Sequence, residues 1–127
     1  MVHASGAFDV TLTPQPDSPT GRQVLDKKYH GDLDATGNGE MLAAMGTVPG
    51  SGTYVAIEHV AGTLHGKKGG FALQHLGTMV RGAQSLAINV VPDSGTGELT
   101  GLSGTMTIDI KDGKHFYGFD YVVAKNP

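Results

Sequence analysis

The sequence predicts an all-β protein folded as an eight-stranded antiparallel closed β-barrel, with little or no helix. Three observations point there. Twenty glycines and six prolines in 127 residues, with many Thr and Val, disfavour helix and favour turns and strands. Apolar residues recur with a period of two over most of the chain. The segments between these runs are short and of turn composition, which implies antiparallel neighbours. Eight such strands with one apolar face favour closure, because a closed barrel has no exposed edge; a sandwich is the competitor.

Taken in chain order, Phe8, Val10 and Leu12 mark the first strand, and residues 14–21 carry a turn. Leu25, Tyr29 and Leu33 mark the second, with a turn over residues 34–38. Residues 39–45 form a weaker third strand, because glycine interrupts the apolar pattern, and a turn is expected over residues 48–52. Tyr54, Ala56 and Val60 mark the fourth strand and Phe71, Leu73 and Met79 the fifth, joined over residues 66–70 into a hairpin spanning residues 54–79. Beyond a turn at residues 81–84, Leu86, Ile88 and Val90 mark the sixth strand, and residues 92–104 make a longer connection. Met106, Ile108 and Ile110 then pair with Tyr117, Phe119 and Tyr121 through Asp112-Gly113, a dipeptide that tolerates the two positive φ angles of a type I′ turn. Seven of the eight aromatic rings share the apolar parity, leaving Phe116 on the other face. The opposite parity carries Asp9, Thr11, Asp26, Lys28, His30, Gln74, Asp109 and Asp120, as a solvated outer surface would.

Residues 1–127 fit a single domain with one modest core. A formal net charge of −3, with the basic residues scattered, gives no footprint for nucleic acid or an anionic membrane, and neither partner is expected. No cysteine is present, which excludes disulfides and thiolate chemistry. Neither a signal peptide nor a run of about 18 apolar residues is visible, so a cytoplasmic location is expected.

Two residues stand out against this pattern. Glu58 and His75 lie in the two arms of one hairpin, on its apolar parity, and carboxylate with imidazole is the usual equipment of proton transfer. With Gly66-Lys67 as the two-residue turn the pair would lie directly opposite; a register change of two residues makes them diagonal neighbours. Burial favours their neutral forms and proximity their charged ones, so hydration of the interior decides between them. Tyr29, Tyr54, Tyr117 and Tyr121 share the inward parity and add polar atoms that call for water or a ligand inside; Met41, Phe71, Met79 and Phe119 supply apolar wall. Lys27 has inward parity and Arg81 lies on Met79's parity beyond the strand end; each reads first as a solvated or snorkelling rim charge, with binding of an anionic group at a barrel mouth as the alternative. The six histidines lack the spacing of a metal site, and Ser94-Gly95-Thr96-Gly97 lacks the Gly-Lys-Ser/Thr ending of a phosphate loop; no metal and no cofactor is expected.

Several stretches carry a resemblance. Lys27-Lys28-Tyr29-His30-Gly31-Asp32-Leu33, Gly39-Glu40-Met41-Leu42, Tyr54-Val55-Ala56-Ile57-Glu58, Gly62-Thr63-Leu64-His65-Gly66, Phe71-Ala72-Leu73-Gln74-His75, Gly77-Thr78-Met79, Val90-Val91-Pro92-Asp93-Ser94-Gly95-Thr96-Gly97-Glu98-Leu99 and Gly113-Lys114-His115 resemble a bacterial family of unknown function. That family is similar in fold to plant allene oxide cyclase, an eight-stranded antiparallel barrel. The resemblance covers nearly the whole chain and implies the fold; it implies no activity, because a shared barrel does not transmit chemistry. Gly118 departs from the larger, often acidic residue expected there.

Two function classes follow. The first is a barrel that binds a small apolar or amphipathic molecule, oriented by Glu58, His75 and the tyrosines. The second is a cofactor-free isomerase or cyclase in which Glu58 or His75 moves a proton. Val55, Ile57 and Ala61 are apolar on the outer parity and imply a contact surface, hence a homo-oligomer.

Overall fold

The computed structural model describes residues 1–124 and contains strands and turns only. The strands are β1 (Val2–Pro14), β2 (Gln23–Tyr29), β3 (Leu33–Met45), β4 (Gly52–Leu64), β5 (Lys67–Val80), β6 (Ala83–Val90), β7 (Thr96–Gly97), β8 (Leu102–Lys111) and β9 (Lys114–Val123). Eight of them run β4-β3-β2-β1-β9-β8-β6-β5, and β5 pairs back onto β4 to close the barrel. Every pairing is antiparallel. The short β7 pairs only with Gly69 and Gly70, ahead of the point where β6 joins β5 at Leu73. No helix among the described residues is long and apolar enough to cross a membrane.

Elements 2 and 3 differ from the expected boundaries. Leu33 opens β3 rather than closing β2, and β3 runs unbroken through residues 34–38. The turn sits earlier, at His30 to Asp32, because Gly31 takes a φ of 98° and the Asp32 carboxylate accepts the Ser5 N–H at 3.0 Å. Gly37 and Gly39 are strand positions where a Cβ does not fit: at 37 it would meet the Glu58 and Tyr29 side chains, and at 39 the Ile57 carbonyl. The β4–β5 turn is likewise His65-Gly66, not Gly66-Lys67, with φ of 47° and 78° as a type I′ turn requires. Asp112-Gly113 forms the expected type I′ turn, with φ of 52° and 77°.

The interior is asymmetric along the barrel axis. One half is filled: Tyr29, Leu33, Leu64, Leu73, Leu99 and Phe119 are among the most deeply buried side chains. Phe71 stacks on Phe119 at 5.7 Å, Phe119 on Tyr121 at 5.3 Å, and Tyr29 meets Tyr117 edge-on at 5.5 Å. The Tyr117 hydroxyl donates to the His30 carbonyl at 2.8 Å and accepts the Leu33 N–H at 2.9 Å, tying β9 to the β2–β3 turn. At the other end the inward residues Leu12, Met45, Leu86 and Ile110 are left exposed. There β6 and β8 share only two residue pairs, Ile88 with Met106 and Asn89 with Thr105, so the strands part toward the open end.

Candidate functional site

The open half of the barrel encloses a cavity of about 480 Å³. Its wall is mainly apolar, with Phe8, Val10, Leu25, Met41, Met79 and Ile108 contributing from different strands. Two polar side chains reach it at depth: Lys27 from β2 and His75 from β5. Tyr54, Thr53, Gln84 and His115 lie along its sides and rim. The Tyr54 ring packs against Gly77, where a Cβ would come within 2.1 Å of the ring.

Beneath that floor sits Glu58, fully buried. The observed β4–β5 register places Glu58 opposite Leu73 and His75 opposite Ala56, so the pair are diagonal neighbours. Their side chains meet: His75 Nε2 donates to Glu58 Oε1 at 2.9 Å. Lys27 Nζ donates to the same oxygen at 3.1 Å, and the Tyr29 hydroxyl donates to Oε2 in a short hydrogen bond. Lys27 Nζ also lies 3.4 Å from the Tyr29 hydroxyl and 4.9 Å from the centroid of the Phe8 ring. Gly37 on β3 is what makes room, since a Cβ there would stand 2.2 Å from Glu58 Oε2 and 3.0 Å from Cδ.

Burial by itself would raise the Glu58 carboxyl. The hydrogen bond from His75, the Lys27 ammonium and the hydrogen bond from Tyr29 together outweigh it, and the carboxyl is held below its ordinary range. Burial, with the Glu58 charge beside it, pushes the Tyr29 phenol far above its usual value and keeps it a donor. The cluster is therefore a carboxylate with three donors around it. Among the described residues no buried side-chain nitrogen or oxygen lacks a partner, and His75 Nδ1 makes no hydrogen bond to protein, so Nδ1 keeps accessible surface on a residue that lines the cavity. Lys27 Nζ spends two of its three N–H bonds on Glu58 and Tyr29 and has one to offer the cavity.

The expected residues divide between the two halves of the barrel. Met41, Tyr54, Met79 and His75 line the cavity; Glu58 stands behind Lys27 and His75 rather than on its surface. Tyr29, Phe71, Tyr117, Phe119 and Tyr121 do not line it. They are packed into the filled end, and parity could not reveal this, because it says which way a side chain points and not how far along the axis it lies. Tyr29 nonetheless takes part from below through its bond to Glu58. Tyr121 bonds instead to His65 Nδ1 at 2.5 Å, at the filled end. Lys27 is corrected from a rim charge to a buried member of the cluster, 8% exposed; its inward parity between Leu25 and Tyr29 was the available signal. Arg81 sits in the exposed Arg81-Gly82 turn and does not reach the cavity. No three His, Asp or Glu among the described residues stand together as a metal site.

A family described as "Protein of unknown function (DUF3224)" matches residues 4–121, nearly the whole chain. The chain belongs to the DUF3224 family. A crystal structure of a DUF3224 protein of unknown function from Shewanella oneidensis MR-1 is similar to it at 49% identity, with 99% of each chain covered and a TM-score of 0.95. No curated protein matches the chain. The DUF3224 assignment thus agrees with the resemblance read from the Val90–Leu99 stretch and the Gly62–Gly66 hairpin, and brings no activity with it.

Proposed function

We propose that the protein binds a small amphipathic molecule in the open half of the barrel, apolar body against the wall and one oxygen-bearing head on the floor. The observation that carries this reading is the pairing of an apolar cavity of about 480 Å³ with two unspent polar groups at its base, Lys27 Nζ and His75 Nδ1. A filled barrel would not need either. Burying a lysine and a glutamate together gains little stability over an apolar pair of the same volume, so packing alone does not account for their presence. The cavity suits a ligand of roughly 10 to 20 non-hydrogen atoms, within the range in which pockets bury most of a small molecule's surface.

Thermal shift with decanol, 2-decanone and decanoate tests the reading. Saturable stabilisation by at least one of them is expected, on the order of 3 kcal/mol at a hundredfold excess over Kd. Ala56→Leu, which puts bulk beside His75, should remove the stabilisation while the unliganded protein still unfolds cooperatively. A flat response to all three molecules would sink the proposal. The same reading includes a bacterial, cytoplasmic, homo-oligomeric protein with an allene-oxide-cyclase-like barrel. Support for self-association comes from the outer face, where Leu42, Val55, Ile57 and Leu76 are exposed side by side on β3, β4 and β5. Sedimentation of a monomer alone at micromolar concentration would contradict that part.

A further inference from the structure

We propose that the cavity floor abstracts a proton from the carbon next to a carbonyl group, with His75 Nδ1 as the base and Lys27 Nζ as the donor to the oxygen. The proposal rests on the binding reading above and gives that site a substrate class: neutral, largely apolar ketones or aldehydes bearing an α-hydrogen.

Glu58 fixes the arrangement. Its Oε1 accepts from both His75 Nε2 and Lys27 Nζ, at 2.9 and 3.1 Å, so the imidazole and the ammonium are held on one atom and lie within about 6 Å of each other. Because a carboxylate oxygen only accepts, the hydrogen on that edge of the ring belongs to Nε2, and in the neutral imidazole the lone pair is then on Nδ1, the nitrogen left unbonded. A carboxylate that orients an imidazole and accepts its far N–H is the arrangement that makes a histidine an effective base. Glu58 touches no ligand in this scheme; it is a positioning residue. Tyr29 and the Gly37 gap hold Glu58 in turn, through the bond to Oε2 and the space that bond needs.

The charges also select the substrate. Lys27 and Glu58 cancel, so the floor meets a neutral molecule without net repulsion, and the remaining N–H of Lys27 gains strength as negative charge appears on the ligand oxygen. The apolar wall of Phe8, Leu25 and Ile108 keeps that interaction in a poorly screened setting. In the step, the α-carbon–hydrogen bond breaks and the Nδ1–hydrogen bond forms. The carbon's electron pair moves into the carbon–carbon bond, and the carbonyl pair moves onto oxygen as an enolate held by Lys27. Once Nδ1 has traded its hydrogen with water, return to the same carbon replaces the α-hydrogen with one from solvent; return to a conjugated carbon moves a double bond. Nothing is oxidised or reduced, and no co-reactant is consumed.

Proton NMR of 2-decanone in deuterated buffer reads this directly, as loss of the signals from the hydrogens flanking the carbonyl. The full chain should accelerate that exchange at least tenfold over the same concentration of free imidazole, with saturation in ketone. His75→Gln, which can still donate an amide hydrogen to Glu58 but offers no imidazole lone pair, should abolish the acceleration; His75→Asn serves if the first variant does not fold. Lys27→Met should still bind 2-decanone by saturation-transfer difference while its exchange falls by about a hundredfold. Glu58→Gln should change the pH profile of exchange as well as its rate, which loss of packing alone would not do. Binding of 2-decanone without exchange would overturn the proposal and leave the binding reading standing. Binding of decanol or decanoate with no binding of the ketone would overturn the substrate class, and failure of all three molecules would remove both.

Discussion

Replacing Lys27 by Met removes one charge from a buried cluster, and the ammonium that lies over Phe8 with it, while keeping most of the buried stem. The partner left behind is Glu58, which has no exposed surface and whose Oε1 would keep only the His75 bond, with Tyr29 on Oε2. Taking one member from a buried ion pair typically costs about 3 to 5 kcal/mol, and the two surviving hydrogen bonds place this case at about 3. For a chain of this size that corresponds to a fall in Tm of roughly 10 °C. The cost depends on pH in a defined sense. In the natural protein the Glu58 carboxyl lies below its ordinary value, so it contributes stability above the unfolded value of about 4.3 and loses it as pH falls through the folded one. Without Lys27, burial is opposed only by His75 and Tyr29, so the folded carboxyl rises toward its ordinary value and less of its contribution remains at neutral pH. The two proteins should therefore differ most near pH 7.5 and converge toward pH 4. Urea unfolding followed by circular dichroism at both pH values measures the difference. A loss under about 1 kcal/mol at pH 7.5, or an equal loss at both, would refute the reasoning about the cluster.

Two further substitutions probe how the cluster and the filled end are held. Gly37→Ala should destabilise by about 1 to 3 kcal/mol, because the new methyl group meets a carboxylate that His75, Lys27 and Tyr29 prevent from moving; a neutral result in urea unfolding would show that Glu58 is free to shift. Tyr117→Phe should cost about 1 to 3 kcal/mol by leaving the Leu33 N–H without its partner, and amide hydrogen exchange should show faster opening at the β2–β3 turn; protection unchanged at Leu33 would argue against that bond.

The barrel was legible because period-two patterning is local: each strand's inward parity can be read from a handful of neighbouring residues, and Asp112-Gly113 fixed the last hairpin directly. Boundaries failed where glycine had two meanings. At residues 34–38 it looked like a turn, but Gly37 is strand backbone kept bare for Glu58 and Tyr29, a reason that lies on β4 and β2 and not in the segment itself. The site was half legible for a similar reason. Glu58 and His75 announced themselves as polar residues on an apolar face, whereas depth along the barrel separates Tyr54, at the cavity, from Tyr117 and Tyr121, in the filled end, and depth depends on the register of every strand pair. Lys27 was misread because an isolated lysine on inward parity most often reaches solvent; only the β2–β3–β4 registry, which brings Lys27 past Gly37 to Glu58, shows that it does not.

The most direct measurement is nitrogen NMR of the His75 imidazole during titration with 2-decanone and with decanol. A ligand head on the cavity floor should shift His75 Nδ1 saturably while Nε2, held by Glu58, moves far less, and the response should disappear in Ala56→Leu. Saturable shifts confined to the outer face of β3 to β5, or none at His75 when the ligand is in excess, would contradict a binding site at the base of the barrel.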